Sequence, residues 1–321
     1  MRRMLQLALA ALTMIALSGG PARCDDALRL AIGQRGNWET AIAELGNRAG
    51  IFKKRGLDLE LLYTQGAGET LQVIISGSAD IGIGVGTTGA MAAFAKGAPV
   101  RAIGSATTGS GDLYWYVRAD SPIKSLADAT EKTTIAYSTA GSSTNLLVLG
   151  LLKQFNLKAR PEKTGSPPAT FTAVMSGQID IGWAAPPFGL KEIEEGKIRI
   201  VARGSDVPST RNQTVRLLIA NAGKLAKDGA VIARFMQAYR EALDWMYADA
   251  KALAYYKDFS TISEPLARKA MTDFYPKASL DPDRIAGLDS VMEDAISLKF
   301  LAAPLTKEQL AQFLQVPKPV Q

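Results

Sequence analysis

The sequence predicts an α/β protein made of two similar lobes, and three observations carry that expectation. First, Ser76-Gly-Ser-Ala-Asp-Ile-Gly-Ile83 returns as Ser176-Gly-Gln-Ile-Asp-Ile-Gly-Trp183, at an offset of 100 residues. Second, the agreement runs in both directions. Upstream, Leu71, Ile74 and Ile75 correspond to Phe171, Val174 and Met175, the spacing of one helix face. Downstream, Met91, Phe94 and Gly97 correspond to Leu190, Ile193 and Gly196. Val100, Ala102, Gly104 and Ser105 then match Ile200, Ala202, Gly204 and Ser205. Third, 321 residues with 47% hydrophobic and 21% charged content suffice for two ordinary globular domains. Two copies are too few for a solenoid, which needs several.

Each copy reads as an amphipathic helix, a glycine stop, a short apolar strand, a second helix, another glycine stop and a strand. Gly77 and Gly177 suit the left-handed position that ends a helix. Asp80 and Asp180 open the strands and are read as serving the fold. Functional content is expected just beyond each strand, at Gly86-Thr87-Thr88-Gly89 and at Trp183-Ala-Ala-Pro-Pro187. Ligands of open α/β sheets bind past the carboxyl ends of their strands.

The N-terminus reads as a secretory leader over residues 1–24. Arg2 and Arg3 precede an apolar run from Leu5 to Leu17, and Ser18 to Ala22 is small and turn-prone. Cleavage near Ala22 or Cys24 fits. Arg23 stands where a lipidated cysteine is ordinarily preceded by a small residue, so a lipid anchor at Cys24 is the less favoured outcome. Arg2, Arg3 and Arg23 supply half of the net charge of +6. The remaining excess fits an anionic ligand, and no basic run with interleaved aromatics points to nucleic acid.

Composition excludes much chemistry. The chain has no histidine, and its one cysteine is Cys24 in the leader. This removes His-based triads, most zinc sites and thiolate nucleophiles. No phosphate-binding loop, dinucleotide fingerprint or nucleophile elbow is present. No catalytic residue, metal or cofactor is therefore expected.

In chain order, Ala27 to Ile32 reads as a strand, and Asn37 as the cap of a helix over Trp38 to about Arg48. A second strand runs to Tyr63. Thr134 to Tyr137 is a strand followed by a helix over Leu146 to Phe155. Leu113 to Val117 and Thr214 to Ala220 read as the two crossings between lobes, so residues 118–213 form an inserted second lobe. Residues 25–117 plus 214–321 form the first. From Lys224 the chain is helical, with a core stripe of Ile232, Phe235, Met236, Tyr239, Leu243 and Met246. Asp281-Pro282-Asp283 reads as a helix start, Thr306-Lys-Glu-Gln309 as a capping box, and Val316 to Gln321 as a loose tail.

Glycine-rich strand-to-helix turns recur at 33–37, 65–68, 86–89 and 138–144. Free N–H groups at helix starts can hold an anion, and small hydroxyl residues add donors.

The chain resembles the periplasmic substrate-binding proteins of ABC importers of the nitrate/sulfonate/taurine type, a group that includes binders of thiamine pyrimidine precursors. The residues that carry this are Gly50-Ile-Phe-Lys-Lys-Arg-Gly-Leu-Asp-Leu-Glu60, then Ser76 to Gly82, then Asp120-Ser-Pro-Ile-Lys-Ser-Leu-Ala-Asp128. Ala129-Thr-Glu-Lys132 departs from the family's usual turn. The resemblance implies a type II periplasmic binding protein fold: two α/β lobes joined by two crossover strands, with the C-terminal helices on lobe 1. It implies a non-catalytic receptor in the periplasm. This receptor takes a small, anionic organic ligand between its lobes, such as a sulfonate or carboxylate. It acts as a monomer and delivers the ligand to a permease and its ATPase. The competing reading is an enzyme on the same scaffold acting on a pyrimidine or sulfur compound. By position, the contacts implied are Gln34, Asn37 and Trp38; Gln65 and Gly66; Thr87 and Thr88; Thr139, Gly141, Ser142 and Ser143; and Trp183, Ala184 and Pro186. Trp38 and Trp183 would wall a pocket, or be packed in the core. Arg35, Arg203 and Arg211 are candidate charge partners.

Overall fold

A computed structural model describes residues 25–318. The expected leader and Cys24 lie outside the described residues. The chain begins with β1 (Asp26–Gly33), α1 (Ile42–Arg48), α2 (Ile51–Lys54), β2 (Leu57–Thr64), α3 (Ala67–Ile75), β3 (Ile81–Gly86), α4 (Thr87–Ala95) and β4 (Val100–Thr108). Next come β5 (Tyr114–Arg118), β6 (Thr134–Tyr137), α5 (Ser143–Gln154), β7 (Arg160–Lys163), α6 (Pro167–Met175), β8 (Gly182–Ala184), α7 (Leu190–Glu194) and β9 (Ile198–Arg203). The chain closes with β10 (Thr214–Asn221), α8 (Ala222–Ala248), α9 (Ala250–Ser260), α10 (Glu264–Phe274), α11 (Leu288–Ser297) and α12 (Lys307–Phe313).

One sheet has the order β2-β1-β3-β10-β4. β1 runs parallel to β2 and β3, and β10 runs antiparallel to β3 and β4. Alternation along the strands splits the side chains between two layers. Leu218 and Ala220 join the core under α1 and α8 to α10, whereas Leu217 and Ile219 join the core under α3, α4, α11 and α12. The stripe on α8 is buried, with Ile232, Phe235, Met236 and Tyr239 at 0% exposure, as its 3.6-residue spacing predicts.

The other strands form the sheets β8-β5-β9 and β6-β7. Ile135 bridges Ile181 in parallel, with Ala136 N–H donating to Ile181 O at 2.8 Å and Ile181 N–H to Thr134 O at 3.0 Å. Through that bridge the order becomes β7-β6-β8-β5-β9. It copies the first sheet position for position, with β5 antiparallel to its neighbours as β10 is.

Repeated sequence therefore does repeated work. Gly77 and Gly177 have φ of 75° and 76°. Asp80 accepts from the Arg29 amide at 2.9 Å, and Asp180 from the Thr134 amide at 2.8 Å, so they tether the corresponding strands β1 and β6. Thr64 bonds Thr70 at 2.7 Å between hydroxyls, and Thr164 bonds Thr170 at 2.6 Å.

Two expected helix starts are corrected. Asn37 does not cap α1. Residues 38–40 make a turn, Ala41 is the cap, and Asn37 O accepts from Ala41 N–H at 3.1 Å. No helix starts at Asp281, because that residue ends a 3₁₀ turn and the next helix opens after Gly287 at φ 68°. The capping box at Thr306 and Gln309 forms as expected. Leu314 bridges Ala102 on the outer edge of β4, and Gln315 N–H donates to Ala102 O at 2.8 Å.

Candidate functional site

The carboxyl ends of β1 and β3 face the turn between β6 and α5. Backbone meets backbone there. A Cβ on Gly86 would lie 2.3 Å from Gly141 O, and one on Gly89 would lie 2.6 Å from the same atom. Gly68 N–H donates to Thr139 Oγ1 at 2.9 Å. Only glycine admits this approach.

Beside these contacts lies a small cavity of about 20 Å³. Its lining combines Gly33, Gln34, Glu39, Thr40, Ala67 and Gly84 with Leu113, Ser138, Ser142, Ser143, Thr144 and Trp183, and with Arg216 from β10. Its volume is near that of one water. Its polarity is unusual. Glu39 Oε2, Ser138 Oγ, Trp183 Nε1 and Arg216 Nε are all buried without a hydrogen-bond partner. Buried polar atoms are almost always paired, so four on one small void mark it as built for a polar occupant.

The site's charges are held deep. Arg216 Nη1 donates to Glu39 Oε1 at 2.7 Å, and Nη2 donates to both oxygens of Asp112 at 2.6 and 2.5 Å. Burial pushes the Glu39 carboxyl up to about 7, against the pull of the Arg216 charge and with a further push from Asp112. Burial also works to lower the Arg216 guanidinium, but the two carboxylates more than reverse this and raise it. The Tyr275 hydroxyl lies beside Glu39 and donates to Pro186 O at 2.9 Å.

Of the residues expected at the site, Gln34, Ser142, Ser143 and Trp183 line the cavity. Gln34 sits in the left-handed region at φ 71°. The α5 helix starts here, with Ser142 Oγ accepting from Asn145 N–H at 3.1 Å. Gly66, Thr139 and Gly141 form the contact between halves. Trp38 does not wall the cavity. Its ring packs edge-on to Tyr256 at 4.8 Å and its Nε1 donates to Tyr247 at 3.0 Å. Asn37 is buried beside Glu39, bonding it at 3.4 Å. Thr87 Oγ1 donates to Thr214 O at 2.6 Å, and Thr88 is buried next to it. Gln65 lies at the start of α3, where its N–H donates to Glu69 at 2.7 Å. Ala184 faces a separate outer groove of about 590 Å³, and Pro186 makes a cis bond to Pro187.

None of the arginines expected as charge partners lines the cavity. Arg35 lies over Phe259 at 4.3 Å, the Arg203 backbone N–H donates to Asp206, and Arg211 donates to Ser205 O. Arg216 was missed. The available signal was a lone charge inside the apolar run Thr214-Val-Arg-Leu-Leu-Ile-Ala220, since a buried arginine needs partners. No cluster of three or more potential metal ligands occurs among the described residues, and no helix among them is long and apolar enough to cross a membrane.

Paired α/β sheets of this order, facing each other across a polar void, define the type II periplasmic binding protein fold. The chain belongs to the NMT1/THI5-like family, whose model matches residues 40–252. Solved structures with the same fold include the alkanesulfonate-binding protein SsuA of Xanthomonas axonopodis pv. citri bound to MOPS. That protein has TM-score 0.73 and 18% identity over 90% of this chain and 98% of that one. The aliphatic sulphonate-binding protein SsuA of Escherichia coli has TM-score 0.67 and 19% identity over 92% and 94%. The nitrate-binding protein NrtA of Synechocystis PCC 6803 has TM-score 0.67 and 11% identity over 89% and 84%. No curated protein sequence matches the chain.

Proposed function

We propose that the chain is the solute receptor of an ABC importer, acting in the periplasm as a monomer and handing a small organic solute to a permease and its ATPase. One observation carries this reading: a small cavity between the two sheets, lined by four buried polar atoms without partners. The lobes of this reading follow the sheets. One holds β1 to β4, β10 and the later helices, and the inserted one starts at Tyr114, four residues before the boundary expected from sequence, because β5 pairs with β8 and β9. Loading then requires the halves to part, a hinge transition about the two connecting segments.

The expected anionic group of the solute finds support at the start of α5. Ser143 and Thr144 line the void as the first residues of that helix, where backbone N–H groups have no partner within the helix and the dipole favours negative charge. Trp183 Nε1 and Ser138 Oγ add two donors. A sulfonate or a carboxylate suits this donor set.

Catalysis is no part of the reading, since neither His nor a cysteine outside residues 1–24 is available. Native mass spectrometry of the secreted protein, followed by calorimetry with sulfonates, carboxylates and pyrimidines, tests it. A small molecule retained in stoichiometric amount and unchanged after incubation is the expected result. Turnover of a bound pyrimidine or sulfur compound would overturn it in favour of an enzyme.

A further inference from the structure

The second half departs from the first on the face under α6 and α7. Tyr116 of β5 holds the place of Ile219 on β10, opposite Gly182 as Ile219 is opposite Gly82. Glu192 of α7 holds the place of Ala93 on α4, at the same offset that pairs Leu190 with Met91. In the first half Ile219 is buried and Ala93 packs beside it, in the core that takes Val291 and Met292 of α11. In the second half Tyr116 and Glu192 instead line the outer groove of about 590 Å³. That volume falls within the roughly 300–1,000 Å³ of ordinary ligand sites. The groove shares no lining residue with the void between the sheets.

Its surface is apolar with one polar pole. Phe171, Pro187, Phe188 and Leu266 supply ring and aliphatic contact. Tyr116 is 1% exposed, and its hydroxyl makes no hydrogen bond among the described residues. Burial and the Glu192 charge push that hydroxyl well above its ordinary value, so it stays protonated. On the rim, Glu195 is taken by Lys197 at 2.7 Å and by Lys191 at 3.8 Å, and Glu194 by Lys269 at 3.4 Å. Glu192 has neither an ion pair nor a side-chain hydrogen bond among the described residues. An anion in the groove would meet this carboxylate with no lysine in contact to screen it. An apolar helix laid there, as α11 is in the first half, would bury Glu192 and the Tyr116 hydroxyl unpaired, which is costly. A cation with N–H donors satisfies both.

We infer that the outer groove is a second binding site, which takes a small primary amine with an aromatic or branched apolar body. The body lies against Phe171 and Phe188, and the ammonium donates to the Glu192 carboxylate and to the Tyr116 hydroxyl oxygen. The site is separate from the one proposed for the transported solute and does not depend on it.

The test is calorimetry on the full secreted chain with three probes that share one ring: 2-phenylethylamine, 2-phenylethanol and 3-phenylpropanoate. The amine should bind about tenfold tighter than the alcohol or better, and the carboxylate weakest. Glu192→Gln should bring the amine to within about twofold of the alcohol, whereas Glu195→Gln, whose carboxylate is already spent on lysines, should leave the preference intact. Tyr116→Phe, which removes a hydroxyl that bonds nothing in the protein, gives a second reading and should weaken the amine about threefold or more. Equal binding of amine and alcohol, a preference that survives Glu192→Gln, or no amine binding at millimolar concentration overturns the inference. Each of these leaves the receptor reading standing, since that reading concerns the other cavity.

Discussion

Strand β10 of the first sheet and strand β5 of the second hold the same place, antiparallel between two neighbours. Ile219 stands opposite Gly82, and Tyr116 stands opposite Gly182. Counting toward the void from those pairs brings Arg216 and Leu113 to corresponding positions, and both line it. The backbone roles are the same in the two halves: glycine stops, aspartate tethers and threonine pairs. The side chains at this pair of positions differ, charged in Arg216 and apolar in Leu113. Shared residues therefore serve the frame, and the residues in which the copies differ serve the site.

That contrast can be broken most forcefully at Arg216. Arg216→Leu, which copies Leu113, strands two carboxylates and should cost about 3–5 kcal/mol in urea unfolding at neutral pH. A loss under about 1 kcal/mol would show that the ion cluster does not distinguish the halves.

Next in size is the pH response of Glu39. Its carboxyl, raised from 4.5 to about 7 by burial, binds its proton more tightly folded than unfolded. Stability attributable to it is therefore highest at low pH and is lost as pH rises from about 4.5 to about 7, by roughly 2–3 kcal/mol. Glu39→Gln should flatten that part of the profile, and an unchanged slope would place the titration elsewhere.

Smaller effects probe the shared frame. A Cβ at Gly182 would lie 2.7 Å from Tyr116 Cζ and Val174 Cγ2, and one at Gly82 would lie 2.9 Å from Ile74 Cγ1. Alanine at either should lower stability by about 1–3 kcal/mol, with Gly182 the costlier because a ring yields less than an isoleucine tip. Smallest are Asp80→Ala and Asp180→Ala, about 1–2 kcal/mol each and equal within about half that if the tethers are equivalent. A neutral result at one of the two would confine the equivalence to backbone.

Legibility followed the same division. The repeat exposed the sheets because backbone duties constrain residue type: Gly77 and Gly177 need a left-handed φ, and Asp80 and Asp180 must reach an amide across the sheet. The site was only partly visible. Gln34 and the 138–144 turn were found through loop position, whereas Glu39 looked like an ordinary first-turn helix residue. It became a site residue because the turn at 38–40 delays the helix to Ile42. Asp112 and Arg216 lie 104 positions apart, and no local pattern pairs them. Trp38 shows the opposite failure, since an aromatic beside a loop does not reveal which way its ring turns.

The glycine contact between the halves has a consequence for how far they can travel. Where Gly86 and Gly89 meet Gly141 main chain faces main chain, so the closing movement of the proposed receptor would end there on a hard stop. The resting gap is thus fixed by the dimensions of the main chain, whatever happens to the surrounding residues. One added methyl group at Gly89 would move that stop outward, and the whole jaw would close short.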